Sequence, residues 1–304
     1  MVTFVPKIPV PGRFDRPITP RRFTKNKEPK MPELPEVETI VRQLRESGLI
    51  LKNPIVKLDL FRPTRWPGIQ PEEIAPRLVG RQFTDISRRG KFIILNLDDG
   101  AKLVVHLRMT GKLFCSASGD AINKFSREIF HLKDGSSLQF NDPRTLGKLY
   151  LLRPGDVLAP LAKMGVEPLS AEFTPEHLQF LLNSCNREIK DFLLDQTKIA
   201  GIGNIYASEV LFLCQIQPER RTGALTPPEV IRLHQHIPAI LQRSIELKGT
   251  TVYDFRTAEN KKGSFQLELQ VYGRDGKKCF QCGSEIQRIV QKQRSSYFCA
   301  RCQQ

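Results

Sequence analysis

The sequence holds no apolar run approaching the roughly 20 residues needed to cross a bilayer, so nothing in it argues for a membrane-spanning helix. Acid is in short supply: 32 Asp and Glu stand against 47 Lys and Arg, a net charge of +15. A balance of that sign points to a polyanionic partner, although charge alone does not separate DNA, RNA and anionic lipid. Cysteine is sparse and odd in number, seven in all, with no apolar signal sequence ahead of it. That argues for a reducing compartment in which two close pairs bind metal, while Cys115, Cys185 and Cys214 stand singly. The first thirty residues lack serine and any amphipathic period, which argues against a transit peptide. With six prolines and eight Lys or Arg against two acids they read as a disordered basic extension.

Beyond residue 30 the sequence has clear local texture. Pro35 suits the first turn of a helix, and Val37, Ile40, Val41 and Leu44 fall on one apolar stripe ending near Gly48, predicting a helix over 35–47. Glu33, Glu36 and Glu38 crowd its start, where carboxylates complement the helix dipole, as on an ordinary capped surface helix. From 54 to 152 short strands dominate. Phe92–Leu97 and Leu103–Leu107, joined by Asp98-Asp-Gly100, read as a hairpin, and Ile129–Leu132 with Leu138–Phe140 repeats the pattern. The expected unit is an all-β sandwich with the first helix packed on it. Pro154, Gly155, Pro160, Gly165 and Pro168 mark 153–173 as a linker. Helices come next: one after Thr174-Pro175, one over 189–194, one over 206–212, and one over 231–247 that Pro238 should kink or split. Cys279, Cys282, Cys299 and Cys302 form two CxxC pairs sixteen residues apart, the spacing of a zinc ribbon. Four thiolates leave no open position, so one structural zinc is expected.

Several stretches carry chemistry. If translation began at Met31 and that methionine were removed, Pro32 would expose a secondary amine with a pKa near ~8, nucleophilic at neutral pH. Its attack on a sugar C1′ gives an iminium ion with no N–H to lose, an electron sink that favours elimination next door. Glu33 would sit beside it as proton donor or acceptor. A start codon placed too far upstream is therefore preferred over a working basic arm at 1–30, because a Pro32 nitrogen inside an amide does no amine chemistry. Gly201-Ile-Gly203-Asn204 is read either as a helix stop with an Asn cap, or as a backbone that admits DNA and holds a phosphate on free N–H groups. Arg88-Arg-Gly-Lys91 is read as a solvated hairpin tip or a phosphate contact, and Met109 as core or a void filler.

Met31-Pro-Glu-Leu-Pro-Glu-Val-Glu-Thr39 resembles the N-terminal signature of the bacterial formamidopyrimidine-DNA glycosylases. Leu194–Tyr206 is similar to the helix-two-turns-helix of the same family, and the resemblance covers about 31–304. It implies Pro32 as nucleophile, Glu33 as its acid–base partner, Lys91 and Arg294 at the phosphates of the lesion, and Asn204 on the backbone. His106 to Gly111 resembles the segment whose methionine, here Met109, fills the space of an extruded base. Asn141 to Gly147 resembles the next loop, implying that Arg144 pairs with the orphaned base. Leu146 stands where a wedging phenylalanine is usual, and Asn123 to Glu128 lacks the usual histidines. Lys163 is placed with the DNA-binding residues, and Lys261 aligns with a lysine of the lid over the extruded base, in which Ser264 replaces a frequent tyrosine.

The sequence reading is an α+β chain: a basic extension 1–30, a catalytic β-sandwich with a packed helix over 31–152, a linker 153–173, a helix-two-turns-helix domain 174–263, and a zinc-ribbon hairpin 264–304. The resemblance implies a bifunctional glycosylase and AP lyase for oxidised purines, acting as a monomer on damaged duplex DNA in the bacterial cytoplasm, with no membrane role. The alternatives are a pyrimidine-specific enzyme of the endonuclease VIII branch, which usually carries Glu-Gly-Pro-Glu in place of Glu33-Leu34-Pro35-Glu36, and a non-catalytic damaged-DNA binder. A zinc-ribbon transcription module accounts only for the last thirty residues.

Overall fold

The computed structural model describes residues 31–61, 66–119, 123–251, 256–259 and 261–304; the extension 1–30 and the central part of the expected lid, 252–255, lie outside them. The first helix, α1 (Leu34–Ser47), starts on a capping box in which Glu33 and Glu36 satisfy each other's backbone ends. It stops where Gly48 adopts a left-handed conformation and its N–H bonds to Arg45 O. It is not a surface helix. Val37, Ile40, Val41 and Leu44 enter the core of the sandwich, whereas Leu34 belongs to the core of the helical domain. Its two acids at the start, Glu33 and Glu36, are buried as well. A local reading assigns such carboxylates to solvent; here tertiary partners take them.

The sandwich consists of two antiparallel four-stranded sheets. Its strands are β1 (Ile55–Leu60), β2 (Phe83–Arg89), β3 (Phe92–Leu97), β4 (Lys102–His106), β5 (Lys112–Ser116), β6 (Ser126–Leu132), β7 (Ser137–Asn141) and β8 (Lys148–Leu152). One sheet runs β2-β3-β4-β8 and the other β1-β6-β7-β5. Both predicted hairpins, β3–β4 and β6–β7, are paired. Alternation sends Phe83, Leu95, Leu103, Phe130, Leu138 and Phe140 into one core, with the Phe83 and Phe130 rings meeting edge-on at 6.1 Å. A second helix, α2 (Pro71–Leu78), interrupts the strands where none was expected; Gln70 and Glu73 form its capping box.

Beyond the sandwich come α3 (Ala159–Ala162), α4 (Pro175–Asn183), α5 (Ile189–Leu194), α6 (Asn204–Leu213) and α7 (Pro227–Glu246). Thr174 caps α4 by accepting the His177 N–H, and Thr226 with Glu229 boxes the start of α7. Pro238 does not split α7, which runs twenty residues without a break. Its missing N–H leaves one carbonyl short of an intrahelical donor, yet Ile237, Ile240 and Leu241 on either side are locked into the helical core. The linker is part of that core too, through Val166 and Phe173. The chain closes with the hairpin β9 (Gln287–Gln291) and β10 (Arg294–Phe298).

Candidate active site and metal centre

Two glycines decide what the start of α6 can hold. A Cβ on Gly203 would lie 2.3 Å from Glu33 Cδ, so only glycine lets that carboxylate reach the helix end. One on Gly201 would stand 2.6 Å from the Leu34 side chain, which packs against the same turn. Glu33 accepts the N–H groups of Gly203 at 2.7 Å and Ile205 at 2.9 Å. The free backbone donors expected here for a phosphate are thus taken by an internal anion, supplied from 170 residues earlier. Burial pushes the Glu33 carboxyl up to about 7, against the pull of the Lys91 charge and of these backbone donors. Near neutral pH it is divided between acid and carboxylate.

Lys91 is buried opposite, its ammonium donating to Ile202 O at 3.0 Å. Burial draws its pKa down, Glu33 raises it, and the nearby Arg294 charge lowers it again. Glu33, Lys91 and Arg294 therefore share one electrostatic neighbourhood, although they come from three regions of the chain. Pro32 is buried at its edge, directly before Glu33.

Around this centre lies a layer that sequence reasoning did not single out. Glu36 accepts the Glu33 N–H at 2.9 Å, the Tyr206 hydroxyl at 2.6 Å and the Thr250 N–H at 2.7 Å. The Arg88–Lys91 turn is no solvated tip: Arg88 bridges Glu38 and Glu167, and Glu167 also accepts the Gly90 N–H at 2.6 Å. Arg89 donates to the carbonyls of Met164 and Gly165. Lys91 is thereby fixed to α1 on one side and to the linker on the other.

Apart from His106, the last residue of β4, the remaining site residues of the sandwich sit on two loops. His106 is buried against the edge of Phe92, and burial together with the charges of Arg108 and Lys91 takes its imidazole down to about 3. Neutral, it accepts the Arg108 N–H on Nδ1. Met109 comes next, half-buried; Arg144 is exposed and Leu146 half-buried on the loop between β7 and β8. Lys163 is exposed at the end of α3, beside the Arg89 clamp. Lys261 is exposed and pairs with Glu259 at 3.0 Å; no contact among the described residues brings it to the centre. Asn204 spends its amide on Ser295 O at 2.9 Å, tying α6 to β10.

The four cysteines close into a metal centre. Their sulfurs lie within 4.8 Å of one another, with Cys279 to Cys302 at 3.9 Å and Cys282 to Cys299 at 3.4 Å. Tetrahedral zinc with Zn–S near ~2.3 Å sets its sulfurs about 3.8 Å apart, so the thiols present fit one zinc. The hairpin is also braced from the helical side: buried Lys190 donates to Ser295 O and to Ser296 Oγ, and Lys292 pairs with Asp191. At its tip Lys292 and Gln293 both take left-handed backbone without being glycine. Such a turn needs external support. Cys279→Ser, or treatment with a strong chelator, is expected to release the metal and weaken binding to duplex DNA by about tenfold or more. Metal content and a binding isotherm check it, and unchanged affinity in a zinc-free protein would exclude a role for the hairpin in DNA contact.

Residues 31–149 match the formamidopyrimidine-DNA glycosylase N-terminal domain, 164–256 match the H2TH domain of the same glycosylase, and 276–304 match the zinc finger found in FPG and IleRS. The chain belongs to the formamidopyrimidine-DNA glycosylase family. As a member of it, the protein is a DNA glycosylase with a four-cysteine zinc finger. The formamidopyrimidine-DNA glycosylase of Desulforamulus reducens is 42% identical over 278 residues, spanning 90% of this chain and 99% of its own. That of Bacillus subtilis is 38% identical over 280 residues, with 90% and 99% covered. Among solved structures, the MutM (Fpg) protein of Thermus thermophilus superposes with a TM-score of 0.80 at 36% identity, covering 90% of this chain and 98% of its own. A Lactococcus lactis Fpg bound to DNA containing an abasic site gives 0.82 at 36% identity, covering 90% and 99%.

Proposed function

We propose that the protein excises oxidised purines, 8-oxoguanine and formamidopyrimidines, from duplex DNA and then cuts the strand by successive β- and δ-elimination, working as a monomer. The observation that carries this reading is the seat of Glu33: a buried carboxyl, half-protonated near neutral pH, immediately after Pro32 and facing Lys91. With the damaged nucleotide extruded, the Pro32 amine adds to C1′ and gives up its N–H proton, the base leaves with the glycosidic electron pair and takes up a proton, and the nitrogen lone pair then opens the C1′–O4′ bond as Glu33 protonates O4′. The resulting iminium accepts the electrons released when a C2′ proton is lost. The 3′ phosphate then departs, and a second elimination expels the 5′ phosphate. Extrusion costs a few kcal/mol by the usual estimate and leaves a void, for which Met109, Arg144 and Leu146 are available on adjoining loops. Lys91, Arg294, Asn204 and Lys163 are assigned to the backbone, so binding is steeply salt-dependent.

Leu34-Pro35-Glu36 favours oxidised purines over oxidised pyrimidines. Matched duplexes carrying 8-oxoguanine opposite cytosine or thymine glycol decide between them. Cleavage of the first at least about tenfold faster in kcat/KM is expected, and the reverse preference assigns the protein to pyrimidine repair.

A further inference from the structure

The two loops read as void fillers come from different strand connections, one between β4 and β5 and the other between β7 and β8. Their bases are paired on both sides, His106 opposite Lys148 and Lys112 opposite Asn141, but no ladder pairing joins the tips themselves among the described residues. Both tips also hold a non-glycine residue in left-handed backbone, Arg108 beside Met109 and Thr145 between Arg144 and Leu146. Such conformations persist only where the surroundings over-determine them.

His106 Nδ1 holds the Arg108 N–H and the Asp142 carbonyl holds that of Thr145, while one side chain ties the two tips together. Asp142 is fully buried, and its carboxylate accepts the Thr110 hydroxyl from the first loop. The same carboxylate accepts the Gly147 N–H at 2.7 Å and the Arg144 N–H at 3.3 Å from its own loop. Its backbone carbonyl takes the Thr145 N–H at 3.2 Å and the Arg127 guanidinium at 2.8 Å. Gly147 cannot be widened, since a Cβ there would stand 2.4 Å from Phe140 and 3.2 Å from the Asp142 carboxylate. Donors from both loops thus converge on the two oxygens of one buried group.

We propose that Asp142 is a positioning residue: it sets the spacing between the Met109 and Arg144 loops, and through that spacing it determines how strictly the base opposite the lesion is read. The inference rests on the roles proposed for Met109 and Arg144 in the excision reaction. Only a carboxylate serves all three donors, because it accepts on both oxygens, whereas an amide turns one of them into a donor facing a donor. The neutral isostere therefore keeps the volume and loses the geometry. Arg144 then meets the orphaned base from an unfixed direction, and bidentate recognition is the kind of contact that direction controls.

The test compares Asp142→Asn and Thr110→Val with wild type on duplexes carrying 8-oxoguanine opposite cytosine or adenine. The readout is the ratio of kcat/KM for the two partners, beside borohydride trapping on single-stranded abasic DNA, all with a chain that begins at Pro32. Wild type is expected to favour cytosine; Asp142→Asn is expected to reduce that ratio by about tenfold, and Thr110→Val by a smaller factor in the same direction. Trapping on the single strand, which has no opposite base, is expected to change far less. A ratio unchanged in both variants overturns the role of Asp142. A ratio lost in step with single-strand trapping overturns it too, since that pattern reports general unfolding. A wild type that traps the abasic strand but shows no partner preference instead removes the opposite-base role of Arg144, and with it this inference.

Discussion

A chain that begins at Pro32 is expected to form a borohydride-stable adduct with abasic duplex DNA, and the same chain with residues 1–31 attached is expected to form none. Inside an amide the proline nitrogen shares its lone pair with the preceding carbonyl and does not add to an aldehyde carbon. Freed, it is a secondary amine titrating near ~8, with an appreciable unprotonated fraction at neutral pH. Loss of covalent chemistry should lower strand cleavage by at least about 10³, equivalent to roughly 4 kcal/mol of barrier. DNA affinity should move much less, because the phosphate contacts assigned to Arg294, Lys163 and the zinc hairpin do not need a free amine. Intact mass of the native protein and a trapping gel make the comparison. Equal adduct from both forms would place the nucleophile elsewhere and sink the Pro32 mechanism.

The second large effect is expected at Glu33. Glu33→Gln keeps the side-chain volume but removes the proton that is delivered to the sugar, and a fall in kcat of about 10² to 10⁴ is expected. The pH profile separates this from a loss of fold. With its pKa raised by burial to about 7, Glu33 is protonated below that pH, so a step needing its proton slows as pH rises through 7. The Pro32 amine works in the opposite sense, becoming available only as pH climbs toward ~8. Wild type should therefore give a bell with a narrow top near neutrality, while Glu33→Gln should lose the alkaline limb and keep the acid one. The Lys91 charge holds the Glu33 carboxyl down, so its removal should carry the alkaline limb to higher pH. A variant with wild-type rate and an unchanged bell would remove Glu33 from proton transfer.

What could be read from the sequence is what the chain encodes locally. The apolar stripe of α1, the Asp98-Asp-Gly100 turn and the threonine cap of α4 depend on neighbours within about four residues, and all were legible. The CxxC pairs were legible because metal chemistry restricts both residue type and spacing. Helix α2 was missed for a different reason. Its start carries a proline and a Gln–Glu capping box, but the helix has only eight residues, and the surrounding strand pattern masks so short a period. The buried acids were illegible in principle. Glu33 and Glu36 look like dipole-matching surface charges until Gly203, Ile205, Tyr206 and Thr250 are brought to them from the far half of the chain. The same holds for Asp142 and Glu167, each an ordinary loop acid in sequence and a junction of several donors in space.

Those long-range donors have a consequence for synthesis. The ribosome releases Pro32 and Glu33 early, yet Glu33 acquires its seat only when residues 203–206 have emerged, and Glu36 its last partner only at Thr250. A nascent or truncated β-sandwich carries Pro32 and Glu33 without the donors that hold the Glu33 carboxyl. Glu33 therefore reaches its buried, hydrogen-bonded state only once the helical domain has folded against the sandwich.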